Sequence, residues 1–430
     1  MYNAAKTAVK LSDRLNGRLH GSTRAAGKAT RGRNVVVNAL LLLVSVSILS
    51  SCGDVSTQSF EREELFRLSI GKLEDHLDLF RVGGIPLDRK TRLFSRGGRV
   101  FISNGPSNKI MEFTSYGDLI HMLYDPEDNP RPVMLLATPG SEARANRHAH
   151  EYSFHQLGDI VVTGEELILV EEILSPDRAL LDPETGVILN RVVLRFSSDG
   201  ERIDYLGQEG IGGAPFPYIE RLEVTNTDEV VVVSRTQQSW KVFWFSSDMD
   251  LLYDVTIPLD SLPVPRAGVV PFLDTVVPDK EAHVVYVKLS YFDDTQGAAE
   301  ETPSRIYNLS LETGRYEGFF EVPRNIRTVF ADNEEGSRDE EFLYELVGSA
   351  PRGHLILMSR ELDDQTLLLV VDNEGSVVRR RRITIEDSDI VYKHFHISPE
   401  GILYGLLAWE DHARVVWWRS DRLIPAGGSS

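Results

Sequence analysis

His148, His150, Glu151 and His155 bring three imidazoles and a carboxylate into eight residues of sequence, a donor set that could ligate zinc. Zinc-protease chemistry needs two histidines four apart on a helix, with glutamate directly after the first, so that rings and base share one face. Here His150-Glu151 is followed by His155, one residue too far, in a stretch that reads as loop entering strand. Arg144 and Arg147 sit beside the cluster and oppose a cation. The cluster therefore reads as surface loop. His148, His150 and His155 are the only metal candidates, and no cofactor is expected.

Other chemistry is thinner still. Gly207-Gln-Glu-Gly210-Ile-Gly212-Gly213 is glycine-rich, but the spacing matches no phosphate or dinucleotide loop and no helix follows. It reads as a link between strands. Acidic pairs abound: Glu165-Glu166, Glu171-Glu172, Asp293-Asp294, Glu334-Glu335 and Asp339 to Glu341. A glycosidase needs two carboxylates at a fixed separation across a pocket, and nothing in the sequence selects such a pair. They read as solvated turn residues. No nucleophile elbow is present, so the sequence names no catalytic residue.

The single cysteine, Cys52, stands apart. Residues 34–51, NVVVNALLLLVSVSILSS, are an apolar run behind a basic stretch, the order of a secretory signal. The run ends in Leu49-Ser50-Ser51-Cys52, which resembles a bacterial lipobox: an aliphatic residue, two small ones, then the cysteine that is acylated and becomes the N-terminus. Residues 1–51 are thus expected to be a signal peptide, and 52–63 a lipidated cysteine and polar tether. Acyl chains contribute about 0.8 kcal/mol per buried methylene, enough in combination for stable anchoring. The expected location is the cell envelope, anchored to a membrane.

The formal charge is −19, and without the basic segment 1–51 it falls to −26. So acidic a surface repels nucleic acid and anionic headgroups, and no nucleic-acid partner is expected. Arg379 to Arg382 break this pattern. Alternation along a strand points two of them to each face, where they guard an outer edge from pairing.

The elements that must carry these residues are strands. Past residue 85 the chain reads as short apolar runs punctuated by Gly, Asp, Asn and Ser. Only Lys72 to Phe80, with Leu73, Leu77 and Phe80, shows helical spacing. A polar turn recurs: Phe113-TSYGD-Leu119, Phe196-SSDGER-Ile203, Phe245-SSDMD-Leu251, Leu311-ETGR-Tyr316, Val371-DNEGS-Val377 and a degenerate Trp418-RSD-Arg422. The copies lie 47 to 83 residues apart, and a four-stranded propeller blade takes about 40 to 50. Insertions are expected at 125–150, 173–186, 291–303 and 331–340. Val230 to Val233 and Leu367 to Val371 read as inner strands covered on both faces, with Arg99 to Ser103 and Gly401 to Leu406 in the same slot. Six turns predict an all-β, six-bladed β-propeller over 64–424, followed by a short tail at 425–430. Leu65 to Ile70 would close the ring as the last blade's outer strand. A β-sandwich, the competing fold, needs no recurring unit. Phe113, Phe196, Trp240, Phe243, Trp244, Phe245, Trp417 and Trp418 are expected mostly between blades.

The stretches GKLEDHLDLF (71–80), VFISNGPSNKIMEFTSYGDLI (100–120) and YDPEDNPRP (124–132) resemble an uncharacterised group of spirochaetal lipoproteins with a predicted six-bladed propeller. The wider blade pattern resembles NHL- and TolB-type propellers. Neither resemblance implies a reaction, since propellers serve as scaffolds, binders and enzymes. Two readings follow: a lipid-anchored disc that binds an envelope protein, or an enzyme or small-ligand binder working at the mouth of the central channel. Polar groups converging on the axis favour the second; a featureless channel favours the first.

Overall fold

The computed structural model describes residues 58–79, 81–82, 85–86, 89–133, 135, 148–293, 302–330, 337–361, 364–385 and 389–425. The segment expected to be a signal peptide, Cys52 and the tail beyond Pro425 lie outside them. No described helix is long and apolar enough to cross a membrane.

Six antiparallel sheets follow one another along the chain, each built outward from its first strand. Those first strands are Thr91–Arg96, Leu157–Val162, Tyr218–Val224, Val269–Pro278, Glu345–Ala350 and Tyr392–Ile397. They neighbour one another around a common axis, which makes them the innermost strands of a six-bladed propeller. The ring closes as the sequence predicts. Glu63–Ser69 pairs with His412–Trp418 as the outer strand of blade 6, so one strand from the N-terminal side completes three from the C-terminal side. Closure leaves blade 6 no missing strand through which the ring could open.

Every full copy of the recurring turn joins the third strand of its blade to the fourth. Met249 occupies the slot that Gly117, Gly200 and Gly375 fill, and all four carry positive φ. Only glycine suits three of these places sterically as well, Gly200 because a Cβ there would stand 2.7 Å from His150 of blade 1. A Cβ on Gly117 would stand 2.6 Å from Phe66 of blade 6, and one on Gly375 would stand 2.4 Å from Phe320 of blade 4. The turn is thus pressed against the outer strand of the preceding blade.

Blade packing explains the apolar runs. Val230 and Val232 join Phe243 and Phe245 in a core shared with blade 2, while Val231 and Val233 join Trp240, Val242 and Trp244 in a core shared with blade 4. Side chains alternate with period two, and both faces meet another sheet, so the strand reads as unbroken hydrophobic sequence. Leu367, Leu369 and Val371 face blade 4 in the same way, with Leu368 and Val370 facing blade 6. The aromatics expected between blades are buried there, except Trp417, which is half-buried and donates from Nε1 to Glu63 at 2.9 Å.

Three expectations need correction. The apolar runs are not innermost: Val230–Arg235, Arg99–Asn104 and Leu403–Ala408 are second strands, and Gln365–Val371 is a third. Innermost strands edge a polar axis and so carry mixed residues. Lys72 to Phe80 forms no helix among its described residues. Asn104 captures Asp78 instead, accepting from its N–H at 2.9 Å and donating to its carbonyl at 2.8 Å. Nine residues of helical spacing are too few to compete with such tertiary bonds. The third concerns the acidic pair Glu171-Glu172, which is fully buried on Ile168–Ile173 and lies in no turn.

The insertions carry extra structure. His148–Glu151 adds a parallel fifth strand outside blade 1, Leu180–Leu181 pairs with Ile188–Leu189, and Ile326–Phe330 pairs with Ser337–Glu341 between blades 4 and 5. Gln58 to Phe60, placed by the sequence in the tether, already pair with Arg382 on the outer strand of blade 5.

Candidate functional site at the propeller axis

Four of the six innermost strands are interrupted by a bulge against their second strand. The irregularities fall opposite Gly158-Asp159 and at Glu220, Asp274 and Val347. A bulge turns a side chain off the regular alternation, and two of the four place a carboxylate, Asp159 and Glu220, on the axial cavity. An axial cavity of about 420 Å³ results, lined from the innermost strands of blades 1, 2, 3, 5 and 6 and by Lys280 of blade 4.

Two charged hubs hold its wall. In the first, Lys90 Nζ donates to Glu171 Oε2 at 2.6 Å, Asp159 Oδ2 at 3.0 Å and the Ile219 carbonyl at 2.7 Å. Arg92 Nε donates to the other Asp159 oxygen at 2.6 Å, and Arg191 lies 3.1 Å from Glu171. Glu171 is wholly buried, and only glycine at 158 leaves room for it, because a Cβ there would stand 2.1 Å from its Oε2. Burial alone would push the Lys90 ammonium down, but the Asp159 and Glu171 carboxylates outweigh it and hold it above its ordinary value. Burial likewise opposes the Asp159 charge, and Lys90 and Arg92 reverse the balance and lower it. In the second hub, Glu223 accepts from Lys280 at 2.8 Å and Arg221 at 3.1 Å. Those cations overcome burial and bring its carboxyl down to about 2.

His394 and His396 complete the lining from Tyr392–Ile397. His394 Nδ1 accepts from the Leu93 N–H at 3.2 Å, which puts the ring proton on Nε2. His396 packs on Phe94 with ring centroids 4.6 Å apart and is hydrogen-bonded to the Ser95 backbone. Its Nε2 is buried and has no partner. Burial depresses both imidazoles, His394 well below its usual range and His396 to about 3. Both rings are therefore neutral near pH 7. A conjugate acid that strong makes His396 a poor proton-abstracting base but leaves it a good hydrogen-bond acceptor.

Charge at the cavity runs against the rest of the molecule. Arg92, Arg221, Lys280, Arg360 and Lys393 supply five cations. Asp159, Glu220, Glu223 and Glu345 supply four carboxylates, in a chain whose net charge is −19. Arginine and lysine here outnumber acids by one.

The metal candidates of the sequence lie elsewhere. His148 and His150 share the added strand of blade 1 with ring centroids 6.4 Å apart, while His155 is exposed in the following connection. The fold brings His121 to His150 instead, at 5.5 Å, and nothing in the sequence links residues so far apart across an insertion. Among the described residues no three His, Cys, Asp or Glu side chains are grouped to hold a metal. Glu172, the neighbour of Glu171, accepts the His155 N–H at 3.1 Å and is raised by burial.

The fold and the axial pocket define a six-bladed propeller with a polar central cavity. No family model matches the chain, and no curated protein matches it. Among solved structures it is similar to a gluconolactonase from Xanthomonas campestris, at 12% identity over 84% of this chain and 97% of that one, TM-score 0.35. It is also similar to a member of the duf4221 family from Bacteroides vulgatus, at 9% identity over 84% and 98%, TM-score 0.36. The β-propeller domain of the Trilobed protease from Pyrococcus furiosus matches at 11% identity over 61% and 82%, TM-score 0.31.

Proposed function

We propose that this protein is a lipid-tethered cell-envelope propeller that binds a small, hydroxyl-bearing monoanion in its axial cavity. His396 carries the reading: a neutral ring nitrogen, buried and unpartnered, beside a cavity with one cation in excess. An unpaired buried acceptor costs about 1–3 kcal/mol, which a ligand hydroxyl donating to Nε2 would recover. The surplus cation favours a single carboxylate. The polar wall disfavours an apolar guest. Acylation of Cys52 and the resemblance to spirochaetal lipoproteins support the envelope setting.

The test is thermal or denaturant unfolding with a panel of hydroxy acids, namely D-glucuronate, D-galacturonate, D-gluconate and lactate, with glucose as the neutral control. At a hundredfold excess over Kd a bound member stabilises by about 2.7 kcal/mol. His396→Leu is expected to remove most of that gain. No shift from any acid in the panel contradicts the proposal.

A second reading, a scaffold for an envelope protein, has one observation of its own. The first hairpin of blade 4, Val269–Pro278 with Val284–Asp293, is longer than the first hairpins of the other blades. Val270, Phe272 and Phe292 stand exposed on one face of it, Val270 directly opposite Phe292. Cross-linking in intact envelopes should recover a partner that Phe272→Ser with Phe292→Ser loses; equal recovery by both forms counts against this face.

A further inference from the structure

Arg379 to Arg382 lie on the outermost strand of blade 5, Val377–Thr384. Among the described residues Arg379, Arg380 and Arg381 form no ion pair. The Nη1 groups of Arg379 and Arg381 donate to the carbonyls of Val378 and Arg380, at 2.7 and 2.9 Å. Only Arg382 meets a carboxylate, with its Nε 3.3 Å from Glu361. Elsewhere this acidic chain neutralises its arginines readily, as at Arg92, Arg99, Arg195 and Arg419. Three adjacent cations left without counter-charges on a sheet edge therefore call for a partner from outside.

The chain enters the propeller along this same strand. Arg382 N–H donates to the Gln58 carbonyl at 3.1 Å, and Phe60 N–H donates to the Arg382 carbonyl at 2.8 Å. Cys52 stands six residues before Gln58. Six extended residues span at most about 21 Å, so lipid on Cys52 would keep Arg382 within that distance of the headgroup layer. Arg379 lies three residues away on the strand, about 10 Å further. The strand that carries three adjacent arginines without an ion pair is also the strand that a Cys52 anchor would hold near the bilayer.

We propose that Arg379, Arg380 and Arg381 are the contact by which the propeller lies edge-on against an anionic lipid surface. This rests on the tether reading of Cys52 and is independent of the axial cavity. The net negative charge of the body does not oppose it at contact range, because charges more than about 8 Å apart are largely screened at physiological salt. Docked in this way, blade 5 faces the lipid and the axis runs parallel to it.

The chain from residue 52 onward, with Cys52→Ser and no acyl group, is cosedimented with two kinds of vesicle: phosphatidylcholine alone, and phosphatidylcholine mixed with phosphatidylglycerol. Each basic side chain near an anionic surface contributes about fivefold, so three predict a preference of about a hundredfold for the mixed vesicles. The preference should vanish near 1 M salt, where screening sets in at about 3 Å. It should also vanish in R379Q/R380Q/R381Q, checked to melt at the temperature of the unaltered arginine run. Equal partition into both vesicles, a preference that survives the substitutions or high salt, or retention on heparin with no partition into phosphatidylglycerol vesicles, each overturns the proposal. Mass analysis of the N-terminal peptide from envelopes reads Cys52 acylation separately, so failure of the tether is distinguished from failure of the arginine face.

Discussion

Lys90→Met is expected to destabilise the propeller by about 3–5 kcal/mol, because it strips the common cation from two buried carboxylates. Lys90 Nζ bonds both Glu171 and Asp159, and Glu171 has no exposed surface through which water could take over. Arg191 would remain beside Glu171, and Arg92 beside Asp159. Each carboxylate then keeps one cation where it had two. Methionine fills similar space, so the loss is electrostatic and not a cavity. Adding Glu171→Gln takes the carboxylate from Arg191 and should cost about 1–2 kcal/mol more. Denaturant unfolding of the two variants and the parent measures this directly. A loss below about 1 kcal/mol for Lys90→Met would mean the hub behaves like a surface pair.

Acid should weaken the protein well before its carboxylates protonate. In the unfolded chain an imidazole takes a proton near pH 6.5. His396 in the fold takes one only near pH 3, because burial disfavours the charged ring. Between those values the unfolded state holds more protons, so stability falls as the pH drops and is fully present only above about 6.5. For His396 alone the interval corresponds to about 5 kcal/mol. His394 is displaced in the same direction. Glu223 adds a second phase at lower pH, since its contribution is complete above the ordinary carboxyl value and is lost as the pH falls toward 2. Unfolding free energies measured from pH 7 to pH 4 should decline steeply in the parent and less so in His396→Gln. Parallel curves would show that water reaches this imidazole in the folded state.

The propeller was legible in the sequence because one physical requirement repeats. A tight turn pressed against the previous blade needs a left-handed residue, and Gly117, Gly200 and Gly375 announce it within a polar turn that recurs along the chain. Ring closure by Leu65 to Ile70 followed from counting strands. The axial site was not legible, for three reasons that belong to tertiary structure. Apolar runs such as Val230 to Val233 mark strands sandwiched between sheets, whereas the strands that edge the axis, such as Thr91–Arg96 and Tyr392–Ile397, look unremarkable in composition. Bulges at Gly158-Asp159 and Glu220 have no sequence signature here, yet they place the carboxylates on the cavity. Glu171-Glu172 looks like any solvated acidic pair until the fold brings Lys90, just ahead of Thr91–Arg96, and Arg191, on the strand paired beside it, to Glu171. Gly158 was the only local clue, and its reason appears only with Glu171 in place.

Ligand binding at the axis is most directly observed by ring-nitrogen NMR of ¹⁵N-histidine-labelled protein titrated with D-glucuronate and the other hydroxy acids. The proposal predicts that a ligand hydroxyl hydrogen-bonds His396 Nε2 and moves its resonance, while His148 on the outer strand of blade 1 and His155 beyond it stay where they are. A resonance at His396 that none of the acids perturbs, or one that moves no more than those of His148 and His155, would contradict it.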